Sequence, residues 1–249
     1  MFMMQKEIVN NEIYKSLGDK WYTGNDYVAL LRAESKTRNP WILNNIYKNN
    51  FVDSKVLDIG CGGGLLTNYL SKFNFNVTGI DNQENALHIA KKYDESGSVT
   101  YKIADAHQLP YDNETFDVVC SLDLFEHVDD YTKVIKEGVR VLKKNGLFFF
   151  HTFNRNFLSW LFVIKGMEWF VKNTPKNLHV YQFFIKPKEI IKNFSINGCY
   201  CAEIKGLTPN IFSSSFVNLI KNGEVDENFD FSISRNLFTG YIGYVKKIS

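Results

Sequence analysis

The sequence predicts an α/β protein: a doubly wound, mostly parallel seven-stranded sheet, a helical segment ahead of it, and a helical insertion after its fifth strand. Three observations predict this. Apolar runs at Val56–Ile59, Phe75–Ile80, Val99–Ile103, Phe116–Cys120 and Leu147–Phe150 have strand length, and helical spacing separates most of them. Gly60, Gly62, Gly63 and Gly64 follow the first run directly, where a tight turn feeds a crossover helix. Asp81 closes the second run. That puts an acid at the carboxyl end of a strand, where open α/β sheets bind their ligands.

Taken in order, the chain begins with a helical start at Glu12–Leu17. Trp21-Tyr22 and Tyr27–Leu31 then add aromatic and apolar surface. Pro40 suits the first turn of a further helix, with Asn39 as its cap. This segment, residues 1–50, either lies over the ligand cleft as a lid or packs on the back of the sheet. Leu65, Leu66, Tyr69 and Leu70 open the first crossover helix, and Ala86, Leu87 and Ala90 face inward from a second, Glu84 to Tyr93. The third strand ends at Ala104-Asp105-Ala106, another acid at a strand end. The fourth delivers Ser121-Leu122-Asp123-Leu124-Phe125-Glu126-His127-Val128. A helix from Tyr131 to Lys143 is stopped by Asn145-Gly146. Phe194–Ile204 and Phe238–Val245 read as strands around a long loop that complete the sheet.

Between them, residues 151–186 are long for a connection, and such segments often form lids or binding elements. Phe157, Trp160, Leu161, Ile164, Met167 and Val171 predict a broad apolar helix face, with Lys165, Glu168 and Lys172 as a narrow polar stripe. Such a face touches a bilayer through 157–172, or packs as a lid on its own domain.

Composition bounds the function. A chain of 249 residues with a net charge of +2 fits one α/β domain and is not basic enough to argue for nucleic acid. Cys61, Cys120, Cys199 and Cys201 lack metal spacing and read as reduced thiols in a cytoplasmic protein. Met1-Phe2-Met3-Met4 leads into charged residues without an apolar signal core. No apolar run is long enough to span a bilayer. Nothing in the sequence gives an oligomeric state.

The glycine turn discriminates among nucleotide ligands. A dinucleotide fingerprint from Gly60 needs Gly or Ala where Leu65 stands, and no phosphate-loop lysine is present. The pattern present, Asp58-x-Gly60-x-Gly62-x-Gly64, resembles motif I of class I S-adenosylmethionine (SAM) methyltransferases. The chemistry agrees. Glycines let the backbone approach the ligand closely. A helix N-terminus offers free N–H groups to a carboxylate. The resemblance implies that Asp81 accepts both ribose hydroxyls and that Asp105 reads the adenine amino group. Ala106 and Leu122 are then further cofactor contacts, and an antiparallel last strand is expected.

More of the chain resembles one family within that class, the ubiquinone-biosynthesis O-methyltransferases, which methylate polyprenylated catechols. Leu57–Gly64 with Cys61, Leu124-Phe125-Glu126-His127-Val128 and Thr152-Phe153-Asn154-Arg155-Asn156 carry the likeness. So do Ser159-Trp160-Leu161, Pro175-Lys176, His179, Phe184-Ile185-Lys186-Pro187 and Gly206-Leu207 with Pro209. Three positions depart from it. Ile42 stands where the family has a cofactor-binding arginine, which leaves Arg38 or Arg32 to substitute. Asp123 replaces a glutamate, and His151 replaces a small residue.

The resemblance implies methyl transfer to a phenolic oxygen. Ionising a phenol of pKa about 10 at pH 7 costs roughly 4 kcal/mol. A general base or a divalent metal reduces that cost. His127, His151 and His179 are candidate bases, with Glu126 beside them. Asp123, Glu126 and His127 are a candidate Mg²⁺ or Zn²⁺ site with open positions for two catechol oxygens, and equally a polar pair and an acid shaping the cleft. Asn154 and Arg155 are either acceptor-positioning groups or a turn cap and a surface charge. Two further readings stay open: a paralogue with another small hydrophobic acceptor, and a methyltransferase-like protein that binds SAM, lipid or partner proteins without turnover.

Overall fold

A computed structural model describes residues 8–248, so the Met1–Met4 reading lies outside the described residues. Its five parallel strands are β1 (Lys55–Ile59), β2 (Asn76–Asp81), β3 (Thr100–Ile103), β4 (Phe116–Leu122) and β5 (Leu142–Phe153). After them come β6 (Cys199–Pro209), β7 (Phe231–Ser234) and β8 (Gly240–Lys247). The spatial order is β3-β2-β1-β4-β5-β8-β6-β7. β8 is antiparallel to both of its neighbours. The expected architecture is present with eight strands rather than seven. The extra one, β7, is a four-residue edge strand inside what the sequence suggested was a loop.

Strand periodicity explains the two cores. Successive side chains of a strand point to opposite faces. Accordingly Phe148 and Phe150 join Leu57, Ile59 and Val119 on one face, while Leu147 and Phe149 join Val56, Val118 and Cys120 on the other. The first face is covered by α4 (Tyr131–Val141) and α7 (Pro187–Ile196), the second by α1 (Tyr27–Lys48) and α2 (Thr67–Leu70). α3 (Glu84–Lys92) packs Ala86 and Ile89 against Leu17, Trp21 and Val28 of the N-terminal segment.

Several boundaries differ from expectation for local reasons. Asn39 and Pro40 start no helix. α1 begins at Asp26, whose carboxylate accepts from Val28 N–H at 3.2 Å, and it runs through Pro40. Proline forgoes one backbone bond there. Burial of Ile42, Leu43 and Ile46 against the sheet holds the helix beyond it. Phe194 belongs to α7, where it repeats Ile190 at one-turn spacing on the buried face. The helix expected to reach Lys143 stops at Val141, because Leu142 already pairs with Phe116 in the sheet. β5 extends through His151, Thr152 and Phe153, so the insertion begins after Phe153.

That insertion is not one amphipathic helix. α5 (Phe157–Ser159) runs into a π-helical turn, Trp160–Lys165, and then α6 (Gly166–Phe170). A π turn carries an extra residue and shifts the side-chain phase. Val171 is buried, while Phe157, Phe162, Trp169 and Phe170 are exposed. α8 (Ser214–Asn222) lies beside α6 and ends at Gly223 in a left-handed conformation. No helix of the described residues is long and apolar enough to cross a membrane.

The α4–β5 contact yields a test in which two effects oppose each other. A β-carbon on Gly138 would stand 2.3 Å from the Phe148 ring. Alanine gains about 1 kcal/mol of helix propensity, and overpacking a filled core costs about 1–3 kcal/mol. Because Phe148 is fully buried, Gly138→Ala is expected to lose about 1–2 kcal/mol net. Urea denaturation measures this, and a stabilised variant would show that Phe148 has room to move.

Candidate functional site

The site lies at the carboxyl ends of β1, β2 and β4, under α1 and the N-terminal segment. Gly60 and Cys61 both donate their N–H groups to the Ile80 carbonyl, at 2.8 and 2.9 Å, which staples the glycine turn to β2. Gly60 and Gly62 have φ of +74° and +51°, a region that favours glycine. The turn is also crowded. A β-carbon at Gly60 would meet Leu124 at 2.9 Å, and one at Gly63 would meet Trp21 at 2.4 Å. Gly64 serves differently from expectation. It does not line the cavity, and a β-carbon there would strike Ala90 and Tyr101, so it is a packing glycine.

A cavity of about 1210 Å³ opens from this turn. Asp58, Gly60, Gly62, Asp81, Asp105, Ala106, Leu122 and Arg38 all line it. Asp81 accepts from Gly62 N–H (2.9 Å) and Gln83 N–H (2.8 Å), which fixes its carboxylate at the rim. Burial pushes the Asp81 carboxyl above its usual range. Burial likewise pushes Asp58 up to about 7, against the attraction of Arg38. Asp105 is held low by its bonds to the backbone and ring of His107.

Arg38 is buried and ion-paired with Asp123, and it stands 3.7 Å from Glu34. It faces the cavity one helical turn before Ile42, which is buried in the core and reaches no ligand. Arg32 instead donates to the carbonyls of Lys20 and Gly24 and ties down the N-terminal segment.

The expected Asp123-Glu126-His127 chelate is not assembled. Asp123 bonds Arg38 and His151; burial would raise its pKa, but the Arg38 guanidinium and the His151 ring outweigh burial and hold it far below the usual carboxylate range. Glu126 turns away from the cavity and accepts from Thr152 Oγ1 at 2.7 Å. Burial, with Asp123 nearby, pushes it up to about 7. Among the described residues, the carboxylate and imidazole group that does converge is Glu34, Asp123 and His151, and the Arg38 cation pairs with two of its members. His151 is no free base. Burial lowers its pKa, but Asp123 reverses that, and the ring stays fully buried below the cavity.

His127 and His179 do reach the cavity, with ring centroids 5.8 Å apart. Burial lowers their pKa values to about 4 and about 3, so both are neutral at pH 7. Asn154 donates to the Leu237 carbonyl, and Arg155 pairs with Glu189 at 2.5 Å, so both brace the fold outside the cavity.

Sequence reasoning missed Asn11, Tyr14 and Glu34, which line the same cavity. It also missed the far wall, where Phe170, Phe216, Leu219, Phe229 and Phe231 meet. Of the first group, Asn11 and Tyr14 lie in or beside the stretch read only as a helical start, and Glu34 had no local mark. Nothing local marked the second.

Comparison with known proteins agrees with this fold. The Methyltransferase domain family model matches residues 57–150. A ubiquinone biosynthesis O-methyltransferase of Pelagibacter ubique is 32% identical over 85% of this chain and 91% of its own. One from Coxiella burnetii is 32% identical over 87% of this chain and 93% of its own. Among solved structures, a SAM-dependent methyltransferase from Aquifex aeolicus superposes with a TM-score of 0.60 at 15% identity, covering 96% of this chain and 99% of that one.

Asp81→Ala tests the cofactor end. Loss of a charged hydrogen-bond acceptor is expected to weaken SAM by about 1.5–3 kcal/mol, or about 10- to 150-fold. Titration calorimetry reads it; unchanged affinity in a folded variant removes Asp81 from the site.

Proposed function

The chain belongs to the ubiquinone biosynthesis O-methyltransferase family, and from that premise we propose how its residues divide the work. It is a SAM-dependent O-methyltransferase of ubiquinone biosynthesis, acting on a lipophilic phenol. Our reading is that the acceptor is a polyprenylated catechol and that His127 is the base that takes its proton. One observation carries this: a single cavity joins a charged end at the glycine turn to an apolar end between α5, α6 and α8, with two neutral histidines lining the same space.

SAM, when bound, supplies a methyl group on a cationic sulfur. The cavity fits such a ligand. Gly60 and Gly62 bring backbone to the cavity wall at the turn, and the Asp58 and Asp81 carboxyls line it there. At the other end, His127 Nε2 accepts the phenol proton as the oxygen displaces the sulfur in line. A neutral imidazole is required at the start of that step, and burial of His127 secures it. No step is assigned to Mg²⁺ or Zn²⁺, since the expected ligands point to other partners.

Purified enzyme with labelled SAM and a panel of catechols tests the reading. Transfer to a polyprenyl catechol is expected, with kcat of His127→Ala lower by about 10²-fold or more. Transfer only to unrelated acceptors would point to a paralogous activity, and SAM binding without any transfer to a non-catalytic protein. A base whose pKa lies near 4 stays deprotonated at pH 5.5, so its part of the rate should persist there. A base of ordinary histidine pKa, about 6.5, would lose about tenfold.

The apolar end also opens outward, and we propose that its rim meets a bilayer surface. Phe212 is 93% exposed, Phe157 66% and Trp169 62%, with Phe162, Ile211 and Phe238 beside them. Lys165 and Lys172 are already paired with Glu168 and Glu224. Insertion of apolar groups, about 1.5–3 kcal/mol for a large side chain fully buried, therefore outweighs charge in this reading. Wild-type protein is expected to co-sediment with liposomes with little salt dependence, and a Trp169→Glu, Phe212→Glu variant to stay behind. If both remain equally in the supernatant, the membrane reading fails.

A further inference from the structure

The N-terminal 3₁₀ helix, Asn11–Ser16, reaches across the cavity to His127, a residue over a hundred positions away in sequence. Three contacts define the meeting. Asn11 Nδ2 donates to the His127 carbonyl at 2.8 Å. Asn11 Oδ1 lies 3.1 Å from His127 Nδ1. The Tyr14 hydroxyl lies 3.3 Å from His127 Nε2, with the two rings nearly perpendicular.

Donor and acceptor chemistry orders these contacts. A carbonyl oxygen only accepts, so the amide nitrogen of Asn11 must face it. The amide oxygen is then the atom that faces Nδ1, and it too only accepts. A neutral imidazole carries one N–H. That proton must therefore sit on Nδ1, which leaves the Nε2 lone pair turned toward Tyr14 and the cavity. We infer that Asn11 is a positioning residue, which fixes His127 in the Nδ1–H tautomer so that Nε2 can receive the acceptor's proton. The inference rests on the reading of His127 as the base.

Asparagine differs from the carboxylate that more often orients a catalytic histidine. A carboxylate holds the same tautomer and stabilises the imidazolium as well. The amide sets the tautomer without adding charge, consistent with a ring that burial keeps neutral. Tyr14 is half-buried, and desolvation together with Asp123 and Glu126 raises its pKa far above the usual phenol value, so it remains a donor to Nε2. In this structure its hydroxyl makes the bond to Nε2 that the acceptor's hydroxyl makes during turnover.

The experiment uses the full-length protein with ¹⁵N-labelled histidine. Two-bond ¹H–¹⁵N spectra report the tautomer of His127, assigned by the signals lost in His127→Gln. Wild type is expected to show a protonated Nδ1 and a bare Nε2. Asn11→Leu should move the ring toward the Nε2–H form and lower kcat at least tenfold, with SAM affinity unchanged. Asn11→Asp, which keeps the acceptor oxygen, should restore the tautomer even if Asn11→Leu fails to fold. A wild-type Nε2–H ring overturns the inference. So does a tautomer that ignores Asn11→Leu, or one that shifts while kcat stays constant. A full rate in His127→Ala instead overturns the base assignment, and with it any part for Asn11 in the reaction, whatever tautomer the spectra show.

Discussion

The buried ion pair between Arg38 and Asp123 is the contact on which the site depends. It joins the middle of α1 to the end of β4, so it sets the long N-terminal helix across the carboxyl edge of the sheet. Asp123 has a φ of 53°, a conformation non-glycine residues seldom adopt. Its backbone N–H donates to the His151 carbonyl at 3.1 Å, and its carboxylate is shared by Arg38 and the His151 ring. Removing one partner of such a pair costs about 3–5 kcal/mol, because the other charge stays buried and alone. The charges nearby follow from it. Asp123 remains ionised, and the Glu34 carboxyl, raised to about 7 by burial first and Asp123 second, sits poised beside them.

This network also explains the departures from the family pattern. His151, read in the sequence as a departure from the family it resembles, brings its ring onto the Asp123 carboxylate. The room for its ring comes from Gly240 on the neighbouring strand, where a β-carbon would stand 3.0 Å from His151 Nε2. Asp123, one methylene shorter than glutamate, is drawn toward Arg38 and His151 and away from His127. Arg38, one turn before Ile42 on α1, lines the cavity, while Ile42 has joined the core.

Much of the fold was legible because period-two and period-3.6 patterns are local. The alternation through Phe148, Phe149 and Phe150, the glycine turn at Gly60 and the acids at Asp58 and Asp81 need no distant partner to be read. The failures have a common physical cause: tertiary contacts overrode a local signal. Pro40 reads as a helix start until Ile42 and Ile46 are seen to bury against the sheet. Phe194 reads as strand until it is paired with Ile190 and stacked on Phe150. Glu126 and His127, adjacent in sequence, part company because a 3₁₀ turn sends one toward Thr152 and the other toward Tyr14. The contact of Asn11 with His127 was invisible for the same reason, since its partner lies in a 3₁₀ turn far along the chain.

The position of β8 has a consequence for how the molecule is made. β8 follows β1–β7 in sequence, yet it occupies the middle of the sheet, between β5 and β6, with almost every residue buried. Until it arrives, the hydrogen-bonding edge of β5 beside Phe148–Phe150 is open, and so is the facing edge of β6. Unpaired apolar edges of this kind template wrong pairings between chains. Between the emergence of β5 and that of β8 the nascent chain is thus prone to aggregation, and chaperone demand should concentrate there.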